Sequence, residues 1–303
     1  MNKIFASTCC VVALAGLSAP QEAAARYAAP GFERFQYCPY DDPDVGTCVI
    51  STTRSGVFSM GTSTIPITEP IVLQGGIVTI APSPLFDAVG APTLDAPPGK
   101  VPGGLLGIAN PAPNWPGPLW VLFWTIVNTV NDVYAKMELV DTVQTDFGKA
   151  LNPPSDGTDP TAVRIAVRVK LDNPFLGDSC YIGSAEEPIV LQLQTGTTNP
   201  PAPNLPISGD PGQAGFVQVG DDPYAYILDE GSILVDNAFA VPAAHGCGNV
   251  ALGLPIVTEV LDLLVSGAVN LKVGLPSAAG KNTAILAGDT ALAASSYVRG
   301  GGE

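Results

Sequence analysis

Between residues 161 and 171 the chain alternates without a break. Val163, Ile165, Val167, Val169 and Leu171 take one side, and Arg164, Ala166, Arg168 and Lys170 the other. A period of two with charge outward is the pattern of a half-buried antiparallel strand. A helix cannot satisfy it, because a helical face recurs about every 3.6 residues. Such a strand needs partners along its edges and an apolar layer beneath, so this one segment already points to a sheet packed on something. The surrounding composition agrees: 14% charged residues with 33 Gly and 30 Pro suit short strands joined by many turns. Residues 189–193, 225–228 and 232–235 are further short strand candidates. Residues 199–206 carry Pro200, Pro201, Pro203 and Pro206, which lack the donor a ladder needs, and are expected to form an extended, exposed connector.

One hexamer occurs twice. Residues 69–74 read Glu-Pro-Ile-Val-Leu-Gln, and residues 187–192 repeat them letter for letter. Each copy is followed by a Pro/Gly-rich stretch, an apolar helical run and a short strand. In the first half the run is 120–134 and the strand 136–140; in the second they are 255–269 and 271–275. A shared order of elements suggests an internal duplication. The second helix is expected to start at Pro255 and to bury Val257, Val260, Leu261, Leu264 and Ala268. The first, with Trp120, Phe123 and Trp124 on one side and Val121, Leu122 and Ile126 on the other, is apolar all round. The fold class expected is therefore mainly β: two related antiparallel β-sandwich-like halves, each with one packed helix. One continuous β-sandwich is the alternative.

The expected organisation is a signal peptide over 1–25, a first half over 26–150, a linker over 151–160, a second half over 161–290 and a flexible tail over 291–303. Lys3 precedes an apolar stretch over 4–19, and Ala23-Ala24-Ala25 offers a small-x-small cleavage site before Arg26. That stretch falls short of the roughly 20 residues a membrane span needs. The mature chain is expected to be secreted, extracellular or associated with a cell envelope, with no transmembrane segment after cleavage.

Four cysteines then remain: Cys38, Cys48, Cys180 and Cys247. In an oxidising compartment an even number reads as two disulfides, and three pairings are open. Cys38 with Cys48 and Cys180 with Cys247 is favoured, since each then closes within one half. Zinc is disfavoured because no CxxC pair exists and His245, the single histidine, stands two residues from Cys247. A net charge of −15 repels phosphate backbones and argues against nucleic acid as a partner.

Catalytic signatures are sparse. His245 would have to serve any Ser-His-acid triad, yet no G-x-S-x-G accompanies it. There is no phosphate-binding loop, no dinucleotide fingerprint and no HExxH, so no cofactor is expected. Glu69 and Glu187 occupy matching repeat positions and form the carboxylate pair that a glycosidase-like mechanism would use. Asp41, Asp42 and Asp44, and the pair Asp221 and Asp222, are oxygen-rich enough to ligate calcium, although none matches the EF-hand loop and turn formation is the favoured reading. Among Trp115, Trp120 and Trp124, the helical spacing assigns the last two to a core. Trp115 sits in a Pro-rich turn and is the candidate surface-binding residue.

Residues 170–184, from Lys-Leu-Asp-Asn-Pro-Phe to Cys180-Tyr-Ile-Gly-Ser, with Glu187 to Leu191, resemble a group of uncharacterised secreted proteins of actinobacteria. So do residues 193–198, 235–242 with Gly246-Cys247-Gly248, and 275–282. The likeness covers most of the second half and is looser in the first. It implies export, a Cys180–Cys247 pair and an envelope rich in wall polymers as the setting, but carries no activity. The function expected is a non-enzymatic extracellular or envelope-associated protein, structural or binding an envelope component. A secreted hydrolase using paired carboxylates is the alternative.

Overall fold

Elements in chain order begin with a 3-10 turn at Glu33–Phe35, then β1 (Val45–Met60), β2 (Ser63–Ile67), β3 (Ile71–Val78), β4 (Phe86–Asp87), β5 (Leu94–Asp95) and β6 (Gly99–Lys100). β7 (Tyr134–Leu139), β8 (Gln144–Thr145), α1 (Phe147–Leu151), β9 (Val163–Asp172), β10 (Tyr181–Ile182) and β11 (Ile189–Leu193) follow. The chain continues through β12 (Gln213–Val219), β13 (Asp222–Asp236), β14 (Ala244–His245), α2 (Pro255–Val273), β15 (Thr283–Ala294) and α3 (Ser295–Arg299). This computed structural model describes residues 28–78, 86–105, 131–248 and 255–300. The expected signal peptide, Trp115, Trp120, Trp124 and nearly all of the first-half helical run lie outside the described residues.

The chain is mainly β, with two antiparallel sheets packed face to face. The first runs β12-β13-β15-β1-β3-β4, with β2 on β1 and β5 on β3. The second runs β14-β10-β9-β7-β6, with β8 and β11 also on β9. Each sheet takes strands from both halves of the chain, so the continuous sandwich is the arrangement adopted. The reason is visible in β1, whose 16 residues expose two long edges. β2 and β3 cover one edge, and β15, from the far end of the chain, covers the other from Thr47↔Ala294 to Ser59↔Thr283.

The alternating segment is β9, the centre of the second sheet. Ile165, Val167, Val169 and Leu171 are buried in the core between the sheets, where they join Val49, Phe58 and Ile77 of the first sheet. The outward face keeps Arg164, Arg168 and Lys170, with Ala166 buried among them. The sheets are stitched at one corner, where Gln194 pairs with Val235 by backbone bonds of 3.0 and 2.8 Å. There the Asp236 carboxylate also accepts from the Gln192 amide at 2.7 Å. A second, smaller core lies on the outer face of the first sheet, where Phe32 and Phe35 pack on Tyr226 with ring centroids 6.0 and 5.6 Å apart.

Four expectations are corrected. The 151–160 stretch joins α1 to β9 within one sheet, and β8 pairs with β9 across it at Thr145↔Val163, so it separates no bodies. Its Asp156 and Asp159 each close a turn onto Thr158 and Thr161. Residues 291–300 of the supposed tail are folded: β15 runs to Ala294, and α3 buries Val298 completely in the second core. Residues 271–273 are the last turn of α2, which stops where Gly274 takes a left-handed φ of +75° and donates to the Asn270 carbonyl.

Two residues of the expected α2 face differ from expectation, while the side chains of Val257, Val260 and Leu261 lie outside the described residues. Leu264 and Ala268 are exposed, while Ser266 and Val269 are buried. Leu263, Leu264 and Val265 are consecutive apolar residues, so periodicity alone leaves the rotation open. Hydrogen bonds decide it. Asn270 clasps Ala244 in both directions, at 2.6 and 3.0 Å, and the Ser266 hydroxyl accepts from the Cys247 amide at 3.1 Å.

Candidate functional site: a polar floor between the sheets

A sandwich interior normally carries apolar side chains from both inner faces. Three strands of the first sheet break that rule at the same place. β1 presents Val49, Ser51 and Thr53 inward, β15 presents Leu292 and Thr290, and β13 presents Ile227, Asp229 and Ser232. Register aligns them into two adjacent rows. Asp229 pairs with Thr290 and Thr290 with Ser51; Ser232 pairs with Gly288 and Gly288 with Thr53. Both strand pairs shift register here, between Thr53 and Ser55 and between Asp229 and Ser232. Bulges of this kind re-aim side chains and gather near functional sites.

These rows form one wall of a cavity of about 100 Å³ that is partly open to solvent. The opposite wall is apolar: Val163, Ile165 and Val167 of β9, Leu191 and Leu193 of β11. α1 closes one end with Phe147, Ala150 and Leu151, and is held there by a 2.7 Å bond from the Thr195 hydroxyl to the Ala150 carbonyl. The two copies of the repeated hexamer meet across this space, since Leu73 of β3 and Leu191 of β11 line it from opposite sheets. Their environments differ: Gln74 is buried and donates to the Pro92 carbonyl at 3.2 Å, whereas Gln192 is exposed.

Asp229 is the group that gives this cavity chemistry. Its side chain is 6% exposed, and its Oδ1 has no protein hydrogen-bond partner. Burial pushes its carboxyl above the ordinary range; the Ser232 hydroxyl opposes that shift, and the charges of Asp289 and Asp210 add to it. Gly212, with φ +74°, passes so close that a Cβ there would come within 2.7 Å of Oδ1. Nearby, Thr290 donates to Ser51 at 2.9 Å, and across the cavity the buried Thr145 hydroxyl also lacks a protein partner. The arrangement is an apolar hollow with an acceptor on its wall, suited to an apolar group that carries a hydroxyl or ammonium donor.

A buried carboxylate with one oxygen left without a hydrogen bond costs stability. Because its folded-state pKa is raised, the stabilising contribution of its neutral form is complete below the unfolded value. It is lost as pH rises through the folded value. Asp229→Asn should therefore raise stability at pH 7 by about 1–2 kcal/mol, with the gain shrinking as the pH falls. Urea unfolding of both forms at pH 7 and pH 4 measures this, and an equal difference at both pH values would contradict it.

The other sequence candidates fall elsewhere. His245 lies in β14, exposed, with Nε2 3.0 Å from the Gly183 carbonyl. Glu69 and Glu187 are both exposed, one before β3 in the first sheet and one before β11 in the second, so they do not face a common bond. Asp42 accepts from the Asp44 amide at 3.0 Å in a turn, and Asp41 lies 3.7 Å from Arg299. Asp222 interacts with the Tyr297 hydroxyl. Among the described residues no three His, Cys, Asp or Glu side chains gather as metal ligands. Both disulfides form, Cys38 with Cys48 and Cys180 with Cys247.

Asp229 was not among the residues that sequence reasoning singled out. A signal exists, because Ile227-x-Asp229 and Val49-x-Ser51-x-Thr53 each put polar residues on an alternating apolar face. Its meaning depends on lining up three strands that are distant in sequence. No protein-family model matches the chain, and no curated protein or solved structure matches it.

Proposed function

We propose that this chain is an exported, non-enzymatic protein, extracellular or envelope-associated, that binds a small amphipathic group of an envelope component between its two sheets. The observation that carries the reading is the buried Asp229 carboxylate, whose Oδ1 has no protein hydrogen-bond partner, on the polar wall of a cavity whose opposite wall is apolar. Polar groups that cost stability persist where binding needs them. Two disulfides suit an oxidising compartment. Among the described residues no helix is long and apolar enough to cross a membrane.

A cavity of about 100 Å³ is in the size class that takes a benzene-sized group. Benzylamine, benzyl alcohol and benzoate are therefore matched probes, differing only in what they offer Asp229. Calorimetry should show the amine and the alcohol binding and benzoate excluded by like charge. Asp229→Asn should weaken the amine about tenfold or more, as loss of a charge-assisted hydrogen bond requires. Failure of all three probes to bind, or an amine affinity untouched by the substitution, would sink the reading. Fractionation of the producing cells tests the setting: recovery in the medium or the envelope supports it, and retention in the cytosol opposes it.

A further inference from the structure

The outer face of the second sheet carries a feature the cavity does not explain. Register lines up Lys136 of β7 with Lys170 of β9, Lys170 with Tyr181 of β10, and Tyr181 with His245 of β14. Four adjacent strands thus present Lys-Lys-Tyr-His in one row, roughly 14 Å long at the usual strand spacing. In the next row Arg168 is fixed, its guanidinium bonded to Glu138 at 2.8 and 3.0 Å and lying 4.3 Å over the Tyr181 ring. The Tyr181 and His245 rings stack with centroids 6.5 Å apart. Glu186 lies near His245 and Arg168, and Asp172 sits one row beyond Lys170.

Like charges directly opposite one another across a strand pair are destabilising. Lys136 and Lys170 are such a pair, and neither makes an ion pair among the described residues. The chain as a whole is strongly acidic, with 13 Lys and Arg against 28 Asp and Glu, and its field opposes a polyanion at long range, so an anionic contact here rests on these two adjacent ammonium groups at close range. The ring beside them is locked in place, which suits a contact that must be ready before its partner arrives.

From charge complementarity and this ring platform we infer that the row is a docking surface for an acidic polysaccharide. Carboxylates of the polymer meet Lys136 and Lys170, and a sugar face lies along the exposed His245 ring, which Tyr181 and the Arg168 guanidinium over it hold in place. The surface is on the opposite side of the second sheet from the cavity, so the two proposals stand or fall separately.

The test uses fluorescently labelled polygalacturonate at low ionic strength, with neutral dextran and phosphatidylglycerol vesicles as the alternatives. Polygalacturonate should bind and dextran should not, and added salt should remove the binding. The Lys136→Gln/Lys170→Gln double variant should lose about tenfold in affinity, while Lys281→Gln on a distant exposed loop should lose little. The inference is overturned if the wild-type chain ignores polygalacturonate or binds dextran equally. It is also overturned if the double variant binds as well as wild type, or if only the vesicles are bound.

Discussion

Replacing Cys180 and Cys247 together with alanine should lower the stability of the folded chain by about 4 kcal/mol. The bond closes a loop of 67 residues, so its removal restores a large conformational freedom to the unfolded chain. Its position adds to the effect. Both cysteines are fully buried in the main core, and the backbone around them is tied in further by the Ser179 hydroxyl on the Gly246 carbonyl at 2.9 Å and by Ser266 on the Cys247 amide. Removing Cys38–Cys48, which spans only 10 residues, should cost less, about 2.7 kcal/mol on the same chain-entropy relation. Urea unfolding of the two double variants against wild type decides this. A loss below about 1 kcal/mol for the longer loop, or the reverse ranking, would show that strain or residual structure dominates.

Asn282→Ala should be damaging for a different reason, costing about 3 kcal/mol. Asn282 is completely buried at the start of β15, and its amide is a junction between distant segments. Oδ1 accepts from the Gly61 amide at 2.9 Å, in the turn between β1 and β2. Nδ2 donates to the Phe239 carbonyl at 2.9 Å and the Ala278 carbonyl at 3.2 Å. Alanine leaves the buried bond to the Phe239 carbonyl and the part-buried bonds to the Gly61 amide and the Ala278 carbonyl unmade at once, and a buried polar group left unpaired costs on the order of 1–3 kcal/mol. Asn282→Asp supplies a control: it keeps the acceptor for Gly61 but sets a carboxylate against carbonyl oxygens. That variant should be least stable at neutral pH and recover partly in acid, as its carboxyl protonates. Thermal unfolding across pH reads the difference, and a pH-independent Asn282→Asp defect would argue against this geometry.

These two sites were unequally legible. Cysteine count and compartment pointed to the pairings, because a covalent cross-link leaves its mark in composition. Nothing at Asn282 distinguishes it from any other loop asparagine, since its role comes from segments as far as 43 and 221 positions away in the chain. The cavity falls between these cases. Alternation marks Ser51, Thr53 and Asp229 as polar residues on inward faces, but each alone could be a strand end or a turn. Only when β13, β15 and β1 are laid side by side do they become one floor.

The helix α2 teaches the same distinction at short range. Pro255 at its start and the long apolar run made its existence readable, whereas Leu264 and Ala268, expected to be buried, are exposed. Asn270 and Ser266 turn it toward Ala244 and Cys247, and a hydrogen bond to a remote backbone group leaves no periodic trace.

What the amino-acid order determined by itself was local and additive: the period-two strand at β9, the Gly and Pro turns, the acidic balance and the pool of cysteines. Each follows from the chemistry of neighbouring residues and so survives without knowledge of the rest. The tertiary structure alone decided which strands share a sheet, how the two halves interleave through β1 and β15, and that polar residues from three strands meet around Asp229. Those outcomes rest on the pairing of free strand edges and the burial of inner faces, which are properties of the assembled chain.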